Sequence, residues 1–122
     1  MKRVLVTGAT GFIGRPSLHF LVSRGFEVHA ITSRASDFLR EGFPPEVRWH
    51  RADLLDSAQV QDVVSLVKPT HLLHLAWNLG PGLYTSTTNL DWVQAGIFLL
   101  KAFQQEGGRR VVTAGSGFEY DW

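Results

Sequence analysis

Val4-Leu5-Val6-Thr7-Gly8-Ala9-Thr10-Gly11-Phe12-Ile13-Gly14 runs from a short apolar stretch straight into three glycines spaced Gly-x-x-Gly-x-x-Gly. A stretch of this kind is what a strand covered on both faces shows. Beyond it, over residues 12–24, Phe12, Ile13, Leu18, Leu21 and Val22 recur at roughly helical spacing, and Gly25 stands where a C-terminal cap belongs. The reading is strand, glycine turn, helix.

Outward from this unit the same alternation continues. Residues 26–32 read as a second strand, 33–45 as a polar loop closed by Pro44-Pro45, and 47–50 as a third strand. Asp56-Ser57-Ala58-Gln59 has the form of a capping box, followed by Val60, Val63, Val64 and Val67 at i, i+3, i+4, i+7. Pro69 ends that helix, and residues 70–75 read as a fourth strand. A loop over 76–88 contains Gly80-Pro81-Gly82. Val93, Ile97, Leu100 and Phe103 then mark a helix that stops near Gly107-Gly108, and 110–114 read as a fifth strand. Strands alternating with helices imply right-handed crossovers and an α/β fold, a doubly wound parallel sheet covered on both faces. With the glycine turn after the first strand, the expected Rossmann-type order is 3-2-1-4-5. Ligands of such sheets collect at the carboxyl ends of the strands, here after Thr7, Thr32, His50, Leu75 and Ala114.

The bulk composition excludes several classes. A chain of 122 residues with 44% apolar content is one domain's worth, expected to span 1–122 without linkers or repeats. Net charge is +1 with Lys and Arg dispersed, so no nucleic-acid partner is expected. The Met1-Lys2-Arg3 start precedes too short an apolar run for a signal peptide, and no run nears the ~18 residues of a membrane span. The absence of cysteine removes disulfides and thiolate metal sites, and no metal centre is expected. A cytoplasmic location is expected.

The glycine spacing carries chemistry. A dinucleotide's pyrophosphate can rest against a helix N-terminus only where backbone N–H groups approach without a Cβ in the way. Gly8 is expected to turn the chain off the strand, Gly11 to allow close approach to the phosphates, and Gly14 to let the helix pack tightly. The first interval is one residue longer than in the commonest dinucleotide fingerprint. A Gly-Lys-Ser/Thr ending is absent, which disfavours a P-loop for ATP or GTP.

With Ala52-Asp53-Leu54 after the third strand, His74-Leu75-Ala76 after the fourth, and Thr113-Ala114-Gly115-Ser116 with Tyr120 after the fifth, this turn resembles the start of the extended short-chain dehydrogenase/reductases. These are NAD(P)-dependent epimerases and dehydratases acting mostly on nucleotide sugars. The resemblance covers the whole chain but only the N-terminal part of the family's length. It implies cofactor contacts at Gly8, Thr10, Gly11, Phe12, Ile13 and Gly14. It also implies that Asp53 meets the adenine amino group beside Leu54, and that Leu75, Ala76 and Trp77 run along the pyrophosphate and nicotinamide ribose. His74 reads as a structural hydrogen-bonding residue.

At the end of the second strand, an acidic residue would favour NAD by accepting from the adenine-ribose 2′-hydroxyl. Thr32 stands there instead. Thr32, Ser33 and Arg34 offer hydroxyls and a guanidinium suited to a 2′-phosphate, with Arg15 in support, so NADP is expected ahead of NAD. The plainer reading of Arg34 is a solvated loop residue.

The resemblance further implies a Ser or Thr soon after the fifth strand, matched by Ser116, and a Tyr-x-x-x-Lys pair in which the tyrosine is the acid/base. That pair is missing: Thr88 follows Tyr84 by four residues, and Tyr120 has two residues after it. The chain therefore reads as truncated before the catalytic helix, able at most to bind cofactor. The intact protein is expected to transfer hydride reversibly at a sugar carbon and to form a homodimer. The fifth strand would be left as an open sheet edge. Trp92 occupies the spacing at which the family usually has an Asn, Asn89 lies one turn earlier, and Glu119-Tyr120-Asp121-Trp122 departs from the family's usual ending. The loop over 77–88 reads as plain surface, with lining of a substrate pocket as the alternative. A competing class is a non-catalytic dinucleotide-binding sensor or assembly factor on the same fold, and a third is a small flavodoxin-like phosphate or flavin binder.

Overall fold

A computed structural model describes residues 1–34 and 41–116. Five parallel strands alternate with three helices: β1 Arg3–Thr7, α1 Gly14–Ser23, β2 Glu27–Thr32, β3 Arg48–Arg51, α2 Ser57–Val67, β4 His71–His74, α3 Thr88–Gln105 and β5 Arg110–Thr113. The sheet order is β3-β2-β1-β4-β5, as expected from the alternation and the glycine turn. Val4 pairs with Val28 and with His71, so β1 sits at the centre, and its Val4, Leu5, Val6 and Thr7 are all buried.

Each face of the sheet carries its own core. Val4, Val6, Val28 and Ala30 meet Leu18 of α1, with Leu21 and Val22 packed against them. On the other face Leu5, Ile31 and Leu72 meet Val60, Val63, Val64 and Val67 of α2 and Leu99, Ala102 and Phe103 of α3. Two expectations change here. Phe12 and Ile13 precede α1 and are 98% and 57% exposed, so they lie on the turn rather than in the helix's buried stripe. In α3 the residues Val93, Ile97 and Leu100 face outward, and Leu99, Ala102 and Phe103 fill the core. The helix forms where the spacing marks it, and of the four residues that mark it Phe103 lies on the buried side while Val93, Ile97 and Leu100 lie on the exposed one.

The helix ends follow from local chemistry. Asp56 caps α2 by accepting from the amides of Ala58 and Gln59. After α1, Gly25 adopts φ +82°, its N–H reaching Val22 O and that of Phe26 reaching Leu21 O, which satisfies the last carbonyls. Gly107 ends α3 the same way, with φ +88° and bonds from Gly107 to Gln104 and from Gly108 to Phe103. At the end of α2 the left-handed position is held by Lys68, φ +48°.

A polar ladder crosses the amino-terminal half of the face that bears α2 and α3. Glu27 Oε1 accepts from His29 Nε2 at 2.8 Å and from Arg48 at 3.3 Å, and Arg3 Nε lies at an ion-pair distance of 3.3 Å without hydrogen-bond alignment. His29 Nδ1 meets His50 Nε2 at 2.8 Å. The bond from His29 holds the Glu27 carboxyl below its ordinary range against an opposing effect of burial, and the Arg3, His29 and Arg48 charges add to the lowering. Burial pushes the imidazoles of His50, His71 and His74 down from 6.5; the charges of His29 and Arg48 add to this at His50, and those of Lys2, Arg110 and Arg109 at His71.

For a histidine with a depressed folded pKa, the unfolded chain takes up its proton first as pH falls. The stabilisation is therefore complete above about pH 6.5 and is lost progressively below it; Glu27 adds a second loss below its ordinary pKa of 4.5. The midpoint of urea unfolding should accordingly be lower at pH 5.5 than at pH 7.5 at matched ionic strength. A midpoint that does not move over that interval would refute the assignment of neutral, half-buried imidazoles.

Candidate functional site

The carboxyl end of β1 is tied to the exit of β4 through one side chain. Thr7 Oγ1 accepts from the amides of Leu75 at 3.1 Å and Ala76 at 3.2 Å, and stands 2.6 Å from His74 Nδ1. With both lone pairs of the hydroxyl engaged by N–H donors, its proton goes to Nδ1, which makes His74 a neutral acceptor there. Burial lowers the His74 pKa in the same sense. His74 is thus a structural hydrogen-bonding residue, as its place at a strand end suggested.

The three glycines then do three different things. Gly8 has φ +67°, and a Cβ there would lie 2.8 Å from Ala76 N and from the Leu75 carbonyl carbon. Gly8 thus serves both the turn and the contact with the β4 exit. A Cβ on Gly14 would lie 2.1 Å from Gly8 O and 2.7 Å from Ala9 Cα, so the start of α1 presses on the turn itself. At Gly11, a Cβ would meet only Gly8 O, at 3.3 Å, and φ lies outside the left-handed region. The fold thus demands glycine at 8 and 14 and makes a smaller demand at 11, which leaves room for close approach from outside. The Gly11 N–H donates to Gly8 O at 3.1 Å, closing a turn that places Thr10 to Ile13 before the helix. No side chain among the described residues caps α1, and its first turn holds no acid, so its amides and the positive end of its dipole face the turn.

The remaining expected residues lie along the same edge. Thr32 is buried at the end of β2, and its Oγ1 accepts the Arg34 N–H at 3.1 Å. That hydroxyl shapes the turn that carries Ser33 and Arg34, a local role that spacing does not reveal. Arg15 holds its guanidinium 4.4 Å from the Phe43 ring centroid, on the loop that follows β2. Asp53 is exposed past β3; its Oδ1 accepts from Leu55 N–H at 2.9 Å, and its own N–H donates to Gln59 Oε1 at 2.9 Å. Gln59 in turn donates to Asp56, so the expected capping box is rewired into a brace for the Asp53 turn. Leu54 packs against the core below. Ser116 follows β5, three residues after Thr113, and Tyr120 lies outside the described residues.

One constellation lies beyond what spacing suggests. Trp77 Nε1 donates to Asn89 Oδ1 at 2.9 Å, Asn89 Nδ2 donates to Leu83 O, and the Trp92 ring lies 6.2 Å from that of Trp77 at 34°. Asn89, to which the sequence reading assigns no role, fastens the loop after β4 to the first turn of α3. The only sequence signal is the pairing of two tryptophans with a displaced asparagine.

The chain matches the family model of the NAD dependent epimerase/dehydratase family over residues 4–122 and belongs to that family. A probable GDP-L-fucose synthase of Drosophila melanogaster is 28% identical over 122 residues, covering 93% of this chain and 32% of the relative. The GDP-mannose 4,6-dehydratase of Vibrio cholerae is 34% identical over 84 residues, 61% of this chain and 23% of the relative. Among solved structures, the UDP-glucose 4-epimerase of Thermus thermophilus in complex with NAD superposes with a TM-score of 0.79 at 35% identity, covering 94% of this chain and 38% of that one. The chain therefore spans about a third of the length of such relatives. No helix among the described residues is long and apolar enough to cross a membrane.

The glycine geometry separates folding from binding. Gly14→Ala should cost roughly 1–3 kcal/mol in urea unfolding, as overpacked sites do. Gly11→Ala should stay within about 1 kcal/mol of wild type, the usual cost of a single added methyl where the neighbour can give, yet weaken dinucleotide binding at least tenfold. A Gly11→Ala chain that binds as wild type would remove Gly11 from the site.

Proposed function

We propose that residues 1–122 form the NAD(P)-binding portion of a nucleotide-sugar epimerase, dehydratase or reductase, with NADP preferred to NAD. The observation that carries this reading is the glycine turn: a bend at Gly8, an open approach at Gly11 and an uncapped α1 N-terminus suited to a pyrophosphate. The names of the relatives, which include GDP-mannose dehydratases and a UDP-glucose epimerase with NAD, support a nucleotide sugar as the substrate of the whole protein. In this reading Gly8, Thr10, Gly11, Phe12, Ile13 and Gly14 surround the pyrophosphate. Asp53 and Leu54 receive the adenine, Leu75 and Ala76 lie along the nicotinamide ribose, and Ser116 hydrogen-bonds the substrate oxygen. When bound, the cofactor supplies hydride transfer; this chain supplies binding and orientation.

The preference for NADP rests on the end of β2. Among the described residues no carboxylate stands there to accept from a ribose 2′-hydroxyl; the Thr32 hydroxyl accepts from the Arg34 N–H in the turn that carries Ser33 and Arg34, and Arg15 lies on Phe43 of the loop before β3. Two guanidiniums near a 2′-phosphate favour the phosphorylated cofactor through charge-assisted bonds.

Titration followed by quenching of tryptophan emission should give tighter binding of NADPH than of NADH. Arg34→Glu should reverse that order by at least tenfold, repelling the phosphate and accepting from a free 2′-hydroxyl. Equal affinities in the wild type, or NADH preferred, would sink the argument from Thr32 and Arg34.

A further inference from the structure

We propose that the Trp77 indole is a stacking wall for the nicotinamide ring, held in position by Asn89. The proposal rests on the dinucleotide reading above and adds to it a side chain specific to this chain. Three observations converge on it. First, Trp77 leaves the sheet directly beside the cofactor turn: the two residues before it are bonded to Thr7, and the Ala76 backbone abuts Gly8. A dinucleotide laid over the carboxyl edge with its adenosine at β2 and its pyrophosphate at β1 carries its nicotinamide half onto β4, where Trp77 emerges. Second, the single polar atom of the indole is already satisfied by Asn89 Oδ1, and Asn89 is oriented by its own bond to Leu83 O. The ring has no donor left for a ligand and offers only its π surface. Third, the residue is 41% exposed although Asn89 and Trp92 both hold its ring. A large apolar ring fixed through its N–H and still two-fifths exposed is organised to receive something flat, since the loss of side-chain freedom has already been met.

The chemistry selects the ligand. Stacking of a planar heterocycle on an aromatic side chain typically contributes ~1–3 kcal/mol, or about five- to 150-fold in affinity. The oxidised nicotinamide is cationic as well as planar, and tryptophan is the best aromatic partner for a cation. The adenine is the other flat ring of the cofactor, but it belongs at the β2 side, beyond β1. Asn89 acts through Trp77 and is a positioning residue.

The test is calorimetric titration of the 122-residue chain with NAD⁺ against ADP-ribose, and with NADP⁺ against 2′-phospho-ADP-ribose, the second of each pair lacking only the nicotinamide. The wild type should bind each dinucleotide about tenfold or more tighter than its nicotinamide-free counterpart. Trp77→Ala should collapse that ratio toward one while leaving the ADP-ribose affinities unchanged, and Trp77→Phe should retain most of it. Asn89→Ala should lower the ratio part of the way, an effect that a merely structural loop contact would not produce. A Trp77→Ala chain that keeps the wild-type ratio, or weakens all four ligands alike, overturns the stacking wall and leaves dinucleotide binding standing. A wild-type chain that binds none of the four overturns the dinucleotide reading itself.

Discussion

The carboxyl edge of the sheet depends on the contact between Gly8 and the backbone of Leu75 and Ala76. Parallel strands are joined only by their ladder, and nothing in that ladder dictates where two neighbouring strands stop and how their loops diverge. Here the Thr7 hydroxyl takes both amides of the β4 exit and gives its own proton to His74, while the missing Cβ of Gly8 lets the two loops touch. One side chain and one absent side chain thus bring the loop after β1 and the loop after β4 together. Gly14 then seats α1 on the same turn, so the direction of the helix dipole is set by the packing that joins the two strands. The geometry of the glycine turn is a by-product of how the centre of the sheet is closed.

Much of this was legible because the relevant forces are local. A buried strand, a glycine turn and a helix are each specified within a few residues, and their alternation, with the glycine turn after the first strand, points to the order 3-2-1-4-5. Pro69, Gly25 and Gly107 end helices where sequence rules place the ends. What could not be read depends on partners far along the chain. Asn89 and Trp77 meet across twelve residues of loop, and the pair exists only once the β4 exit has been fixed. Helix α3 misled for a different reason. Val93, Ile97 and Leu100 keep helical spacing as faithfully as Leu99, Ala102 and Phe103 do, and only the sheet decides which set is inside. The exposed Phe12 and Ile13 belong to the turn, where apolar side chains stand in solvent because the backbone beneath them serves another purpose.

The polar ladder at the opposite end of the sheet follows a different logic. Glu27 is surrounded by Arg3, His29 and Arg48 from three adjacent strands, and His29 passes the network on to His50. A register slip of one residue between β2 and either neighbour would strand the carboxylate among apolar groups, whereas Val and Ile could exchange places at little cost. Arg3, Glu27 and Arg48 lie at the start of their strands, so their contribution is to register.

This division of labour explains why likeness of fold does not carry the choice of cofactor. In the proposed placement a pyrophosphate would meet backbone, and the constraints at Gly8 and Gly14 are those of packing, shared by any chain that closes its sheet in this way. In the same placement the adenine ribose would lie at the short turn after Thr32. In that turn the Arg34 N–H donates to Thr32 Oγ1, and Ser33 and Arg34 are exposed. A substitution there changes charge at the ribose without disturbing a single core contact. A relative with NAD bound can therefore superpose closely on a chain whose β2 ends in Thr32, Ser33 and Arg34, because these side chains lie outside both core clusters.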